Sequence, residues 1–261
     1  MSLYFAKHFI KHYTIATPID VLHSPFVFEL YNNCIKRQNQ KPDAFNKIEA
    51  LRNTLKQSKE SVYFTDFGAV GQNKSTTISY IAKTHAKPAR IAAIIYYLVQ
   101  HLQPQKSIEL GTSLALTTAY FASALNNKST FISIEGCEDV YNKAIENLCK
   151  LGLNQKVINK LGLFDELFLP VLNELGKLDC LFIDGNHTYE ATMDYFNKSL
   201  AYIHNNSFII FDDIYWSKGM TKAWNEICAH SATTACIDLF YIGIVFFRKE
   251  QQKQIFKLRV W

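Results

Sequence analysis

The chain has 261 residues, 48% of them apolar and 20% charged. Those proportions exclude a disordered or fibrous chain and leave enough apolar surface for a full core. Its 28 basic and 23 acidic residues give a net charge of +5, too mild for a dedicated nucleic-acid binder.

Before Pro104 the patterns are helical. Ser24-Pro25 is a helix start, with serine as cap and proline at the first helical position. A second helix is expected over 44–56, and a pair over 76–102 broken at Pro88. After Pro104 short apolar runs alternate with amphipathic ones. Strands are expected at 107–110, 130–135, 156–159, 179–184 and 207–212, and helices at 116–125, 140–151, 167–175 and 189–204. Alternation of this kind implies parallel strands joined by crossover helices. A helix over 222–230 precedes two runs, 235–241 and 244–248, that lie too close for a crossover and must pair as a hairpin around Gly243.

Cys34, Cys137, Cys149, Cys180, Cys228 and Cys236 form no C-x-x-C pair and no zinc-type spacing, so they read as small buried hydrophobes of a reducing cytosol. No apolar run approaches the ~18 residues of a spanning helix, and the first ten residues lack a signal-peptide core. A cytoplasmic protein is expected. Phe5, Phe9 and Ile10 amid Lys7 and Lys11 leave weak peripheral membrane contact open. The stretch 67–108 has no acidic residue but holds Lys74, Lys83, Lys87, Arg90 and Lys106. A solvated helix face is the plain reading, and an anionic substrate or headgroup the alternative.

In an open α/β sheet the ligand sits beyond the C-terminal ends of the strands. The first expected strand there ends in Glu109-Leu110-Gly111-Thr112-Ser113-Leu114-Ala115, a glycine turn that presents backbone N–H groups and a helix start to an anionic group. Ser113 stands where a dinucleotide fingerprint needs glycine, which argues against NAD. The pattern E-x-G-x-x-x-G is met at Glu109 and Gly111, with Ala115 at the third position. The next strand ends in Glu135, an acid able to accept from both hydroxyls of a ribose. A second glycine string, Asp66-Phe67-Gly68-Ala69-Val70-Gly71, lacks a following acid and reads as a turn with helical chain behind it.

With Glu109 to Ser113, Glu135, Phe182-Ile183-Asp184-Gly185-Asn186-His187 and Phe211-Asp212-Asp213-Ile214-Tyr215-Trp216 in line, the chain resembles the class I S-adenosylmethionine-dependent O-methyltransferases over roughly 106–249. That resemblance implies a Rossmann-like, doubly wound, mostly parallel seven-stranded sheet of order 3-2-1-4-5-7-6, with strand 7 antiparallel. The domains then read as an N-terminal helical cap on the substrate side, 1–103, and an S-adenosylmethionine-binding domain, 104–261. It implies cofactor contacts from Glu109, Gly111, Thr112, Ser113 and Glu135. It also places Glu109 and Asp184 near the methionine end and the loop of Gly162, Phe164 and Asp165 beside adenine. Ala115 departs from the family glycine.

Asp184, Asp212 and Asp213 end adjacent strands in this reading, and hard cations such as Mg²⁺ take carboxylate oxygens. Catechol-type and caffeoyl-CoA-type relatives hold a divalent cation at the corresponding positions, which the resemblance carries to these three aspartates. His187 is the candidate base, since an imidazole can take a hydroxyl proton near neutral pH; the alternative is a cap on the helix beginning near Tyr189. Tyr215 and Trp216 are candidates for an apolar wall. The expected partner is a small-molecule acceptor, methylated at a hydroxyl, with homodimer formation left open. The alternatives are metal-free N-methylation, and a non-catalytic protein holding nucleic acid or a partner. Nucleic acid is disfavoured because 68–107 lacks interleaved arginines and aromatics.

Overall fold

The computed structural model describes residues 3–17, 23–65 and 74–260. They fall in two compact units, residues 1–31 with 168–261 and residues 32–167. The chain begins with helices α1 (Leu3–Ile15) and α2 (Pro25–Leu30). Ser24 caps α2 as expected: its hydroxyl accepts from Val27 N–H at 3.4 Å, and Pro25 fills the first turn.

In residues 32–167, α3 (Asp43–Leu55) is followed by strands β1 (Ser61–Phe64) and β2 (Lys74–Thr77). These pair antiparallel from Ser61↔Thr77 to Phe64↔Lys74. The N-terminal region is therefore not wholly helical, which corrects the expectation of a helical subdomain. The signal lay in the β-branched and aromatic run Val62-Tyr63-Phe64 and in Thr76-Thr77. Thr77 ends the strand and caps α4 (Ile78–Thr84) by accepting from Tyr80 N–H at 3.2 Å. The glycine string at 66–71 lies outside the described residues; a strand, not a helix, follows it.

Helix α5 (Ala89–Leu102) starts after Pro88 and buries every residue from Ile91 to Val99. A helix apolar on all faces belongs inside, and α5 packs on α6 (Leu116–Ala124). Of the basic residues expected on a solvated face, Lys83 and Arg90 are exposed whereas Lys87 is buried. Strands β3 (Lys106–Leu110), β4 (Thr130–Glu135) and β5 (Ile158–Leu161) run parallel in the order β3-β4-β5, with α7 (Glu138–Leu151) as a crossover. The register Ser107↔Phe131 to Leu110↔Ile134 brings the C-terminal ends of β3 and β4 together.

Beyond α8 (Phe164–Leu175) come β6 (Leu178–Ile183), α9 (Tyr189–Ser199), β7 (Ile203–Asp212), α10 (Lys218–Ala229), β8 (Ala235–Asp238), β9 (Ile242–Phe246) and β10 (Gln254–Lys257). Their order is β6-β7-β9-β8-β10, with β9 antiparallel to both neighbours. Within each unit the order agrees with the implied 3-2-1 and 4-5-7-6. Strands β3 to β10 number eight instead of seven, because β10 adds parallel to β8.

The hairpin turn is not at Gly243. It lies between Asp238 and Ile242, where Leu239 N–H donates to Ile242 O at 3.0 Å and Phe240 takes φ 71°. Gly243 sits within β9, and a Cβ there would meet the Trp224 ring at 2.5 Å. Glycine is needed for that close approach, not for the turn. Helix α1 is held in this unit by Phe5 and Phe9, edge-on to Phe240 at 4.9 and 5.1 Å. Both aromatics considered for membrane contact thus pack on Phe240, while Leu3 and Ile10 remain exposed. Among the described residues no helix is long and apolar enough to cross a membrane.

Candidate functional site

The turn after β3 is built from positive-φ backbone: Gly111 at 106°, Ser113 at 48° and Ala115 at 58°. Three such residues in five turn the chain sharply into α6, and Ala115 adopts the left-handed geometry that the family glycine would take without strain. Gly111 N–H donates to Ile134 O at 2.9 Å. Ser113 N–H donates to Glu135 Oε2 at 2.8 Å, and Cys137 N–H to Glu135 Oε1 at 3.0 Å. Glu135 therefore ties the β3 turn to the end of β4, and with backbone donors at Ser113, Cys137 and Gly136 its carboxylate keeps about one acceptor site for a further donor. Burial pushes its pKa up, against the pull of the backbone N–H groups of Cys137, Ser113 and Gly136.

Behind this turn lies a buried polar chain that sequence reasoning did not anticipate. Glu109 Oε2 accepts from Ser133 Oγ at 2.6 Å and from Thr118 Oγ1 at 2.7 Å. Ser133 and Thr112 hydroxyls are 2.6 Å apart; since the serine proton goes to Glu109, Thr112 is the donor in that pair. All four side chains are buried, and Glu109 Oε1 has no hydrogen-bond partner among the described residues. Burial raises the Glu109 pKa to about 7, opposed by the Ser133 and Thr118 hydroxyls and by the buried Lys87 ammonium. Lys87 thus has an electrostatic role at Glu109 that its place in a basic run concealed.

Gly162, after β5, has φ 153° and donates to Glu135 O at 2.9 Å. A Cβ there would meet Leu167 Cδ1 at 2.7 Å, so the loop closes tightly before α8. Phe164 and Asp165 open that helix, the ring half-buried and the carboxylate exposed.

In residues 168–261 the structure gathers Asp184, His187 and Asp212, one ligand atom of each lying within 4.8 Å of the others. Asp184 follows the end of β6 and Asp212 ends β7. Asp213 is not in this group of three: it takes φ 52°, and its N–H donates to Tyr241 O at 2.8 Å. His187 is not the helix cap, since Thr188 caps α9 by accepting from Ala191 N–H. Likewise Ser217, not Asp212 or Asp213, caps α10. Tyr215 is no free wall: it is buried, stacks on Phe240 at 5.0 Å and donates to Asp238 Oδ2 at 2.6 Å. Trp216 is 52% exposed.

A glycine turn and paired acids at parallel strand ends stand where an open α/β sheet takes its ligand. Residues 108–214 match a model described as a methyltransferase domain. The fold is that of a methyltransferase of Podospora anserina bound to S-adenosylhomocysteine, with TM-score 0.62 and 11% identity over 87% of this chain and 97% of that one. An O-methyltransferase of Bacillus cereus gives 0.58 and 16% over 83% and 99%, and one of Streptomyces achromogenes 0.58 and 15% over 80% and 91%. The doubly wound class I methyltransferase fold is thereby established. An uncharacterized protein of Acanthamoeba polyphaga mimivirus is 37% identical over 70 residues, covering 25% of this chain and 32% of that protein.

Proposed function

We propose that this protein is an S-adenosylmethionine-dependent O-methyltransferase acting on a small hydroxyl-bearing acceptor. The observation that carries this reading is the acid pair of β3 and β4. Glu109 keeps a buried oxygen without a partner among the described residues, and Glu135 organises the Ser113 turn with an acceptor site to spare. The residues fit the cofactor's chemistry. An unpaired buried carboxylate oxygen suits an ammonium, a carboxylate with an open acceptor site suits a ribose hydroxyl, and the tight Gly162 loop suits a flat ring. The match at 108–214 covers this acid pair.

When bound, S-adenosylmethionine supplies an electrophilic methyl on a sulfonium. The chain's own part is to bind, orient and move a proton. Glu109, Thr112, Ser113 and Glu135 hold the cofactor, with Gly162, Phe164 and Asp165 beside its base. We assign acceptor activation to the group Asp184, His187 and Asp212. A divalent cation there would take the two carboxylates and make the acceptor hydroxyl more acidic, and the His187 imidazole would receive the proton. Support for this assignment is the convergence of the three ligand atoms and the absence of a capping duty for His187.

The test is a thermal melt with S-adenosylhomocysteine or NAD, followed by transfer of labelled methyl to a panel of catechols and other hydroxyl acceptors. Stabilisation by S-adenosylhomocysteine together with labelled product supports the proposal, because a ligand that binds only the native state raises its stability. Stabilisation by NAD alone would sink it.

A further inference from the structure

The geometry points to a second site: an oxyanion pocket for a phosphate group, lined by α1, α10 and β10. His8, Lys11, His12 and Ile15 recur at helical spacing and share one face of α1. That face closes, with Tyr215, Thr221, Asn225 and Lys257, a pocket of about 150 Å³. At ~30 Å³ per water of liquid volume, this is room for a group of about five heavy atoms.

Among the described residues the lining is rich in donors and includes no acid. Asp238, which bonds His12, Tyr215 and Lys257 of the lining, is saturated. Its Oδ1 takes His12 Nε2 at 3.1 Å and Phe240 N–H at 3.0 Å, and its Oδ2 takes Tyr215 OH at 2.6 Å and Lys257 Nζ at 3.3 Å. Wholly buried and already bonded four times, it cannot also neutralise Lys11 or His8. His8 stacks on Tyr215 at 5.4 Å. Burial lowers its pKa first, and the ammoniums of Lys11, Lys7 and Lys257 lower it further. Three cations thus act on one imidazole at a pocket mouth, a positive potential that an anion would relieve.

Donors arrive from three elements: Lys11 and His8 from α1, Asn225 from α10, Lys257 from β10, while the Thr221 hydroxyl donates to Ile214 O at 3.2 Å. A tetrahedral oxyanion with three terminal oxygens uses such a spread better than a flat carboxylate does. The phosphate could belong to a soluble molecule or to a lipid headgroup. The exposed Leu3 and Ile10 on the same helix make the second source worth its own arm.

The experiment titrates inorganic phosphate into the full chain by calorimetry, and separately measures co-sedimentation with vesicles of phosphatidylglycerol or phosphatidylcholine. Asn225→Asp, a near-isosteric change at an exposed position, and Lys11→Glu should each weaken phosphate binding at least tenfold, whereas Lys128→Glu, outside the pocket, should not. Phosphate binding without vesicle binding assigns a soluble ligand. Vesicle binding that needs phosphatidylglycerol and is lost in Lys11→Glu assigns a headgroup. Failure of both arms, or binding indifferent to Asn225→Asp and Lys11→Glu, overturns the site. None of these readouts depends on methyl transfer.

Discussion

The Ser113 N–H and the Glu135 carboxylate, 2.8 Å apart, join the turn after β3 to the end of β4. One acid therefore serves two ends: it fixes a positive-φ turn and keeps an acceptor site for a further donor. Glu135→Ala should accordingly show two losses. Affinity for S-adenosylhomocysteine should fall roughly tenfold to a hundredfold, for about 1.5–3 kcal/mol of charge-assisted bonds. The melting temperature of the ligand-free chain should fall as well, because Ser113 and Cys137 lose their acceptor. Unchanged affinity by calorimetry would remove Glu135 from the ribose role while leaving the turn role to the melt.

Glu109 predicts a pH dependence. Its carboxyl has an ordinary pKa of 4.5 unfolded and about 7 folded. Between those values the native state holds a proton that the unfolded chain has released, so stability falls as pH rises from about 4.5 to 7 and levels off above. The window spans roughly 3 kcal/mol. Glu109→Gln should flatten the curve in urea denaturation from pH 4.5 to 8. A cationic ligand group against the ionised form should also make S-adenosylmethionine binding tighten through pH 7, and Glu109→Gln should abolish that trend.

For the group of Asp184, His187 and Asp212, Asp212→Asn should weaken Mn²⁺ binding at least tenfold, whereas Asp213→Asn should change it little. His187→Ala should lower turnover by about 10²–10⁴, with a smaller loss at alkaline pH where the acceptor ionises unaided. Full activity in EDTA would refute a cation there and leave His187 as the activating group. Mn²⁺ binding lost in His187→Ala would make the imidazole a ligand instead of the base.

Gly243→Ala forces a methyl into the Trp224 ring, with contacts of 2.5 to 2.8 Å. Overpacking of this kind costs about 1–3 kcal/mol, read as a lower denaturation midpoint. Trp224→Leu in the same chain should recover part of that loss; no recovery would place the glycine's role in its backbone instead.

Much of the frame was legible from one-dimensional pattern. Runs such as Phe131-Ile132-Ser133-Ile134 and Phe208-Ile209-Ile210-Phe211 announced strands buried on both faces, and β4 runs from Thr130 to Glu135 as expected. Ser24-Pro25 declared a helix start because capping is local chemistry. Glu109, Glu135, Asp184 and Asp212 were legible as acids at or just past strand ends because the apolar runs before them declare the strands. Less local features escaped. The strands β1, β2 and β10 are four residues each, too short to establish a period, and their identity depends on a partner strand supplying hydrogen bonds. The role of Gly243 depends on Trp224, which lies 19 residues away in sequence and in contact only after folding. His187 acquires its neighbours and loses its capping duty through the course of the loop between β6 and α9. The chain of Thr112, Ser133, Glu109 and Thr118 joins three hydroxyls and a carboxylate from β3 and its turn, β4 and α6. Local propensity and periodicity reach a few residues along the chain, so they determined the elements and the acids at their ends. Burial, pairing and proton position depend on groups distant in sequence, so only the tertiary structure decided them.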